Sequence, residues 1–87
     1  MAHATAAAAA PPATAPEPWR GEERLVREAI LLIASGGAPR ALVAGLQWGE
    51  PLLDALRRPA LADGVRLLAR TTARPDRIDI VVEPIRP

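Results

Sequence analysis

The segment 41–83, ALVAGLQWGEPLLDALRRPALADGVRLLARTTARPDRIDIVVE, decides the fold of this chain. It opens with an unbroken apolar run at 41–46, followed by apolar residues at three- to four-residue spacing from Leu52 to Leu61. Two further aliphatic runs, 65–72 and 77–83, are separated by the short loop 73–76. Short apolar runs between turn residues are typical of strands, and the three- to four-residue spacing is typical of a helix. The segment therefore predicts a strand, a helix and two more strands.

A helix is also predicted upstream of this segment, over residues 22–35. Glu22 and Glu23 suit a first helical turn, because the exposed N–H groups there attract negative charge. A stripe of apolar residues then recurs at helical spacing: Leu25, Val26, Ala29, Ile30, Leu32 and Ile33. The Ser-Gly-Gly sequence at 35–37 ends the helix, since glycine readily takes the left-handed cap conformation.

These elements predict a two-layer α/β domain with the order α-β-α-β-β. The β-α-β unit from 41 to 72 predicts a right-handed parallel crossover, the usual hand of such units. The last two strands predict an antiparallel hairpin, so that the sheet as a whole is three-stranded and mixed. The continuous apolar run at 41–46 predicts a strand covered on both faces. Pro59 is expected to kink or split the second helix.

Residues 1–18 consist mainly of Ala, Thr and Pro, and we expect them to form a disordered tail. Residues 19–87 then form one small domain. A domain of that size has little core, and the chain has no Cys to cross-link it, so a homodimer is expected. No secretory signal, presequence or bilayer-spanning apolar run is present, which favours a cytoplasmic protein that does not bind membranes.

Most residue types used in covalent and acid–base catalysis are missing from the chain. It has no Lys, Cys, Tyr, Phe or Asn; its one His is His3 in the tail, and its one Ser is Ser35. The carboxylates show no spacing that would pair two of them across a cleft. One His without Cys also makes a metal site implausible. The sequence therefore predicts a non-enzymatic protein without a cofactor or metal.

The loop from Gly45 to Pro51 lies where open α/β sheets commonly bind ligands. Glu50 and Pro51 disfavour a phosphate there, because one adds negative charge and the other lacks an N–H donor. A tight turn is the preferred interpretation. Trp48 in this loop is a candidate to stack on a base or to anchor a partner, and its alternative role is to cover the edge of the core. Trp19 is expected to pack against the first helical turn.

The basic residues are concentrated in the second half of the chain. Between residues 57 and 77 there are six Arg and only two acids, Asp63 and Asp76. Arg70, Arg74 and Arg77 are expected to gather around the last hairpin, where they would contact phosphates of a nucleic acid. The alternative is an ordinary solvated surface with local pairs to the two Asp residues.

The element order resembles that of the Alba-like nucleic-acid-binding superfamily, which includes the small sporulation stage V protein S proteins. The similarity rests on the helix end at 29–38 (AILLIASGGA), the small-residue strand 41–46, and RIDIVVEP at 77–84. The resemblance implies a dimer that binds DNA or RNA, with Arg70, Arg74 and Arg77 as the contacts. The first strand of that family has no counterpart here.

Two functions follow from the sequence. The first is nucleic-acid binding through the Arg-bearing terminal hairpin. The alternative is a small homodimeric or adaptor domain that binds protein through Trp48 and an apolar face, with the Ala/Pro-rich tail as a flexible tether.

Overall fold

A computed structural model describes residues 17–85 of the chain and contains two helices and three strands. The elements are α1 (Glu17–Ala34), β1 (Ala41–Leu46), α2 (Gly49–Ala62), β2 (Val65–Thr71) and β3 (Ile78–Pro84). The predicted α-β-α-β-β order is confirmed. Two helices packed against an antiparallel sheet place the domain in the α+β class.

The sheet differs from the predicted one in its strand order. β3 lies between β1 and β2, and it pairs antiparallel with both of them. The predicted hairpin of β2 and β3 is confirmed, whereas the predicted mixed sheet with a parallel β1–β2 pair is wrong. β1 and β2 do run in the same direction, but the chain inserts its last strand into the space between them.

Both helices cover one face of this sheet. The core contains Val26 and Ile30 from α1, Leu52 and Leu56 from α2, and Val82 from the central strand. Each of these side chains is at least nine-tenths buried, and burying one such side chain is worth about 1.5–3 kcal/mol. On β3 the side chains of Ile80 and Val82 belong to this core and are fully buried.

α1 begins at Glu17, five residues before its predicted start. Pro18 fits the first turn because its missing N–H is not needed there. Trp19 therefore lies within the helix instead of before it, and its side chain is buried in the core. The rest of the predicted tail, residues 1–16, lies outside the described residues.

Several aliphatic side chains stay outside the core. Leu25 and Leu32, which the helical stripe predicted to be inside, are about half exposed, and Leu31 is exposed as well. β1 is covered on one face only, because Ala41 and Val43 are partly buried while Leu42 is exposed. The prediction that β1 is covered on both faces is therefore wrong, because both helices pack against the same face of the sheet.

Both helices end close to a glycine. Gly36 and Gly64 have a positive φ, of 79° and 78°, and each lies two residues after the last residue of its helix. α2 continues through Pro59 to Ala62, so the predicted split of this helix does not occur.

Candidate functional site

The backbone N–H groups of the loop before α2 bind a carboxylate of the chain itself. The carboxylate of Glu22 accepts hydrogen bonds from the backbone N–H groups of Gln47 and Trp48, at 2.8 and 2.7 Å. A bound phosphate at this helix N-terminus would need such donors. Because Glu22 already accepts from these two N–H groups, the loop is better explained as a tight turn than as a phosphate site. Glu22 itself was predicted only as a residue of the first turn of α1, because a contact between residues 25 positions apart leaves no local pattern.

Trp48 lies beside Trp19 at the edge of the core. The two ring centroids are 5.4 Å apart, and the rings are tilted by 59°, a favourable arrangement for two aromatic side chains. Trp48 is half-buried and packs against the core cluster. This contact matches the core-covering role that the sequence offered as the alternative. The partner-binding role of Trp48 stays a prediction.

The face of the sheet opposite the helices is open among the residues that the structure describes. Its centre is an apolar row of one side chain per strand, namely Leu42, Val81 and Leu68, which lie opposite one another in the strand register. Leu42 is 50% exposed and Leu68 is 41% exposed. Val81 between them is 5% exposed, although it does not belong to the helix-side core. We call these three residues the apolar row and this surface the open face.

Charged residues lie on both sides of the apolar row. At one end the Glu83 carboxylate forms an ion pair with the guanidinium of Arg66 at 2.6 Å. The Nε of Arg40 lies 3.9 Å from the same carboxylate. We call Arg40, Glu83 and Arg66 the Glu83 row. At the other end Asp79 lies opposite Arg70 and accepts a hydrogen bond from the N–H of Gly45 at 2.9 Å. We call Asp79 and Arg70 the Asp79 row.

Arg70 differs from the other arginines of the open face. Within residues 17–85 it takes part in no ion pair shorter than 4 Å. Together with Arg40 it lines a shallow depression of about 280 Å³, whose floor includes Leu42 and Val81. Arg40 was not predicted as a site residue. The available signal was its position two residues before Leu42, which places both on the same side of an extended chain.

The loop of the β2–β3 hairpin holds the other two predicted arginines. The Thr72 hydroxyl accepts from the N–H of Arg74 at 3.0 Å and donates to the carbonyl of Arg74 at 2.9 Å. Asp76 lies between Arg74 and Arg77, with Nε–Oδ distances of 3.9 and 3.7 Å. The hairpin thus brings Arg70, Arg74 and Arg77 to one end of the sheet, as predicted, with one carboxylate between the last two.

The remaining arginines of the basic stretch do not join this group. Arg57 and Arg58 are exposed on α2, in the helix layer, where they line a shallow surface with Asp54. Arg66 is paired with Glu83 at the far end of the sheet. The charge excess of residues 57–77 is therefore divided among three places.

Residues 17–85 contain no group of three or more His, Cys, Asp or Glu side chains that could hold a metal ion. In the same range no helix has the length and apolar character needed to cross a bilayer.

Comparison with known proteins gives no match. No family model fits the sequence, and no curated protein or solved structure is significantly similar to it.

Proposed function

We propose that this chain is a non-enzymatic nucleic-acid-binding domain that contacts phosphate groups with Arg70, Arg74 and Arg77. The observation that carries the proposal is the β2–β3 hairpin, which holds these three arginines at one end of the sheet. The resemblance of the terminal segment to Alba-like proteins supports the same residues.

The ion pair of Arg74 leaves this side chain available to a phosphate, whereas Arg77 is only 26% exposed. Arg74 and Asp76 both have side chains that are 67% exposed, and their 3.9 Å contact is longer than a hydrogen bond. Exposed pairs of this kind contribute about 0–1 kcal/mol, so a phosphate oxygen competes with the carboxylate at little cost. Arg70 has no such pair to give up within residues 17–85.

The site favours weak binding without sequence preference. Three arginine–phosphate contacts correspond to a slope of log affinity against log salt of about −2 to −3. Trp48 is half-buried against the core cluster and Trp19, so its ring is not a free stacking platform for bases.

The experiment is a fluorescence-anisotropy titration of labelled single- and double-stranded oligonucleotides with the full chain, first at low salt and then at rising salt. Arg74→Gln removes one phosphate contact and is expected to weaken binding about three- to tenfold, and to reduce the salt slope by nearly one. Arg57→Gln removes the same charge from α2 and serves as the matched control. Absence of binding at low salt, or equal losses in the two variants, would refute the proposal.

A second function, association with protein, is favoured by one specific observation. The apolar row exposes two leucines at the centre of the open face. Exposed apolar centres with a polar surround are typical of protein interfaces. This surface, and not the half-buried Trp48, is the stronger candidate for such a contact.

A further inference from the structure

The depression between Arg40 and Arg70 combines positive charge with an aliphatic floor. The two arginine side chains line it together with Leu42 and Val81, and no carboxylate of the described residues contributes to its lining. A cationic rim beside an aliphatic floor is suited to a ligand that carries both negative charge and apolar surface.

The carboxylates nearest to the depression have partners of their own. Glu83 pairs closely with Arg66, and Asp79 accepts the hydrogen bond from the N–H of Gly45. The contact of Arg40 with Glu83, at 3.9 Å, is longer than a hydrogen bond, and the Arg40 side chain is 66% exposed. Exposed pairs of this kind contribute little, so the positive charge of the depression remains available to an external anion.

The depression is continuous with the arginines of the hairpin. Arg70 belongs both to the depression and to the group with Arg74 and Arg77. On β3 six residues separate Arg77 from Glu83, which is about 20 Å of extended chain, and Arg40 lies beside Glu83. Stacked phosphates of one strand are about 3.4 Å apart, so this path corresponds to about six nucleotides.

The aliphatic floor distinguishes a single strand from a duplex. In a duplex the bases are paired and stacked inside, so a duplex would place phosphates or sugars over the floor. A single strand exposes the faces of its bases, which can pack on apolar side chains. Leu42, which is 50% exposed, offers such a surface between the two arginines.

We propose that the depression between Arg40 and Arg70 takes a nucleotide of a single-stranded nucleic acid, whose base packs on Leu42. This inference rests on the proposed function and deepens it, since it adds Arg40 as a fourth phosphate contact and names the ligand of the depression. The volume of about 280 Å³ is below the roughly 300–1,000 Å³ of sites that enclose a small molecule. A mononucleotide should therefore bind far more weakly than a strand that also contacts the hairpin.

The first test is a fluorescence-anisotropy titration of the full chain with labelled oligothymidine of about twelve nucleotides, twice the length of the path. A mixed-sequence duplex of the same length is titrated in parallel. Arg40→Gln is expected to weaken binding of the single strand about threefold or more, and to reduce its salt slope by about 0.7. Binding of the duplex should change by less than about twofold, and Arg57→Gln on α2 should change neither ligand by more than that.

The second test concerns the floor of the depression. Leu42→Ser removes aliphatic surface without changing the charge, and it should weaken binding of the single strand about threefold while the salt slope stays the same. Leu61→Ser makes the same change at a leucine of α2 that is 47% exposed, and it should leave binding unchanged. Circular dichroism shows whether both variants are folded. The result for Arg40→Gln decides the proposal even where Leu42→Ser does not fold.

Two competitors show which chemistry the depression recognises. Thymidine monophosphate at the concentration of the strand should not displace it, and neither should a glutamate peptide of the same total charge. Displacement by the mononucleotide would indicate an enclosed nucleotide pocket, and equal displacement by the peptide would indicate an anion site that does not contact bases. Either result would overturn the proposal.

The remaining outcomes separate this proposal from the proposed function. A loss with Arg74→Gln but not with Arg40→Gln would overturn the role of the depression and leave the hairpin contacts intact. Equal losses of single strand and duplex with Arg40→Gln, or equal effects of Leu42→Ser and Leu61→Ser, would also overturn it. Absence of binding at low salt would overturn both proposals.

Discussion

The two faces of the sheet share the same three strands but have different surroundings. On the helix side Ile80 and Val82 are fully buried under side chains of α1 and α2. On the open face Val81, which lies between them in sequence, is 5% exposed and lines the same depression as Arg40 and Arg70. The comparison shows that neighbouring aliphatic residues of one strand can lie in the helix-covered core on one face and at an uncovered sheet surface on the other.

The largest expected difference between the two faces comes from truncating neighbouring residues of β3. Ile80→Ala leaves a cavity in the helix-side core and should lower the free energy of unfolding by about 3 kcal/mol. Val81→Ala should cost about 1 kcal/mol or less at concentrations where the chain is monomeric, because its surroundings can rearrange. Urea unfolding of both variants measures the difference. Equal losses would mean that the open face is as tightly packed as the core.

A smaller effect is expected at the contact that ties α1 to the loop before α2. Glu22→Ala removes the acceptor for two backbone N–H groups and should cost about 2 kcal/mol. Glu23→Ala removes an exposed pair with Arg27 one turn away, and it should cost only about 0.3–0.5 kcal/mol. The two adjacent glutamates form a matched pair for thermal or urea unfolding. A large loss from Glu23→Ala would contradict this assignment.

The smallest effect is expected in the charged rows of the open face. Glu83→Gln weakens the pair with Arg66 and should lower the stability of the monomer by less than about 1 kcal/mol. The loss should shrink further at high salt, because exposed charges are screened. Urea unfolding at low and high salt checks this. A large loss that salt does not change would show that the pair is shielded from solvent.

Local sequence patterns were sufficient for the elements but not for the arrangement of the sheet. Residue spacing and turn residues within short segments were enough to predict α2, the glycines that end both helices, and the β2–β3 hairpin. The position of β3 between β1 and β2 depends on pairing over about 40 residues, such as Leu42 with Val81. No local pattern encodes that choice, and the apolar run of β1 suggested a strand with two covered faces.

The residues of the candidate site also divide into those that local sequence predicts and those that depend on distant pairing. Arg70, Arg74 and Arg77 were predicted together because one hairpin contains all three. Arg40 was missed, since its place on the same depression as Arg70 depends on the sheet register across β3. Glu22 was missed for the same reason, because its partners lie on a distant loop.

The central position of β3 also has a consequence for synthesis on the ribosome. β1 and β2 emerge first, and neither has a strand partner until β3 has followed them. The helices can form early, but the sheet closes in a single late step that pairs β3 on both of its edges. Until that step, two unpaired aliphatic strands are exposed to other nascent chains and to chaperones, which makes this interval the period of greatest aggregation risk.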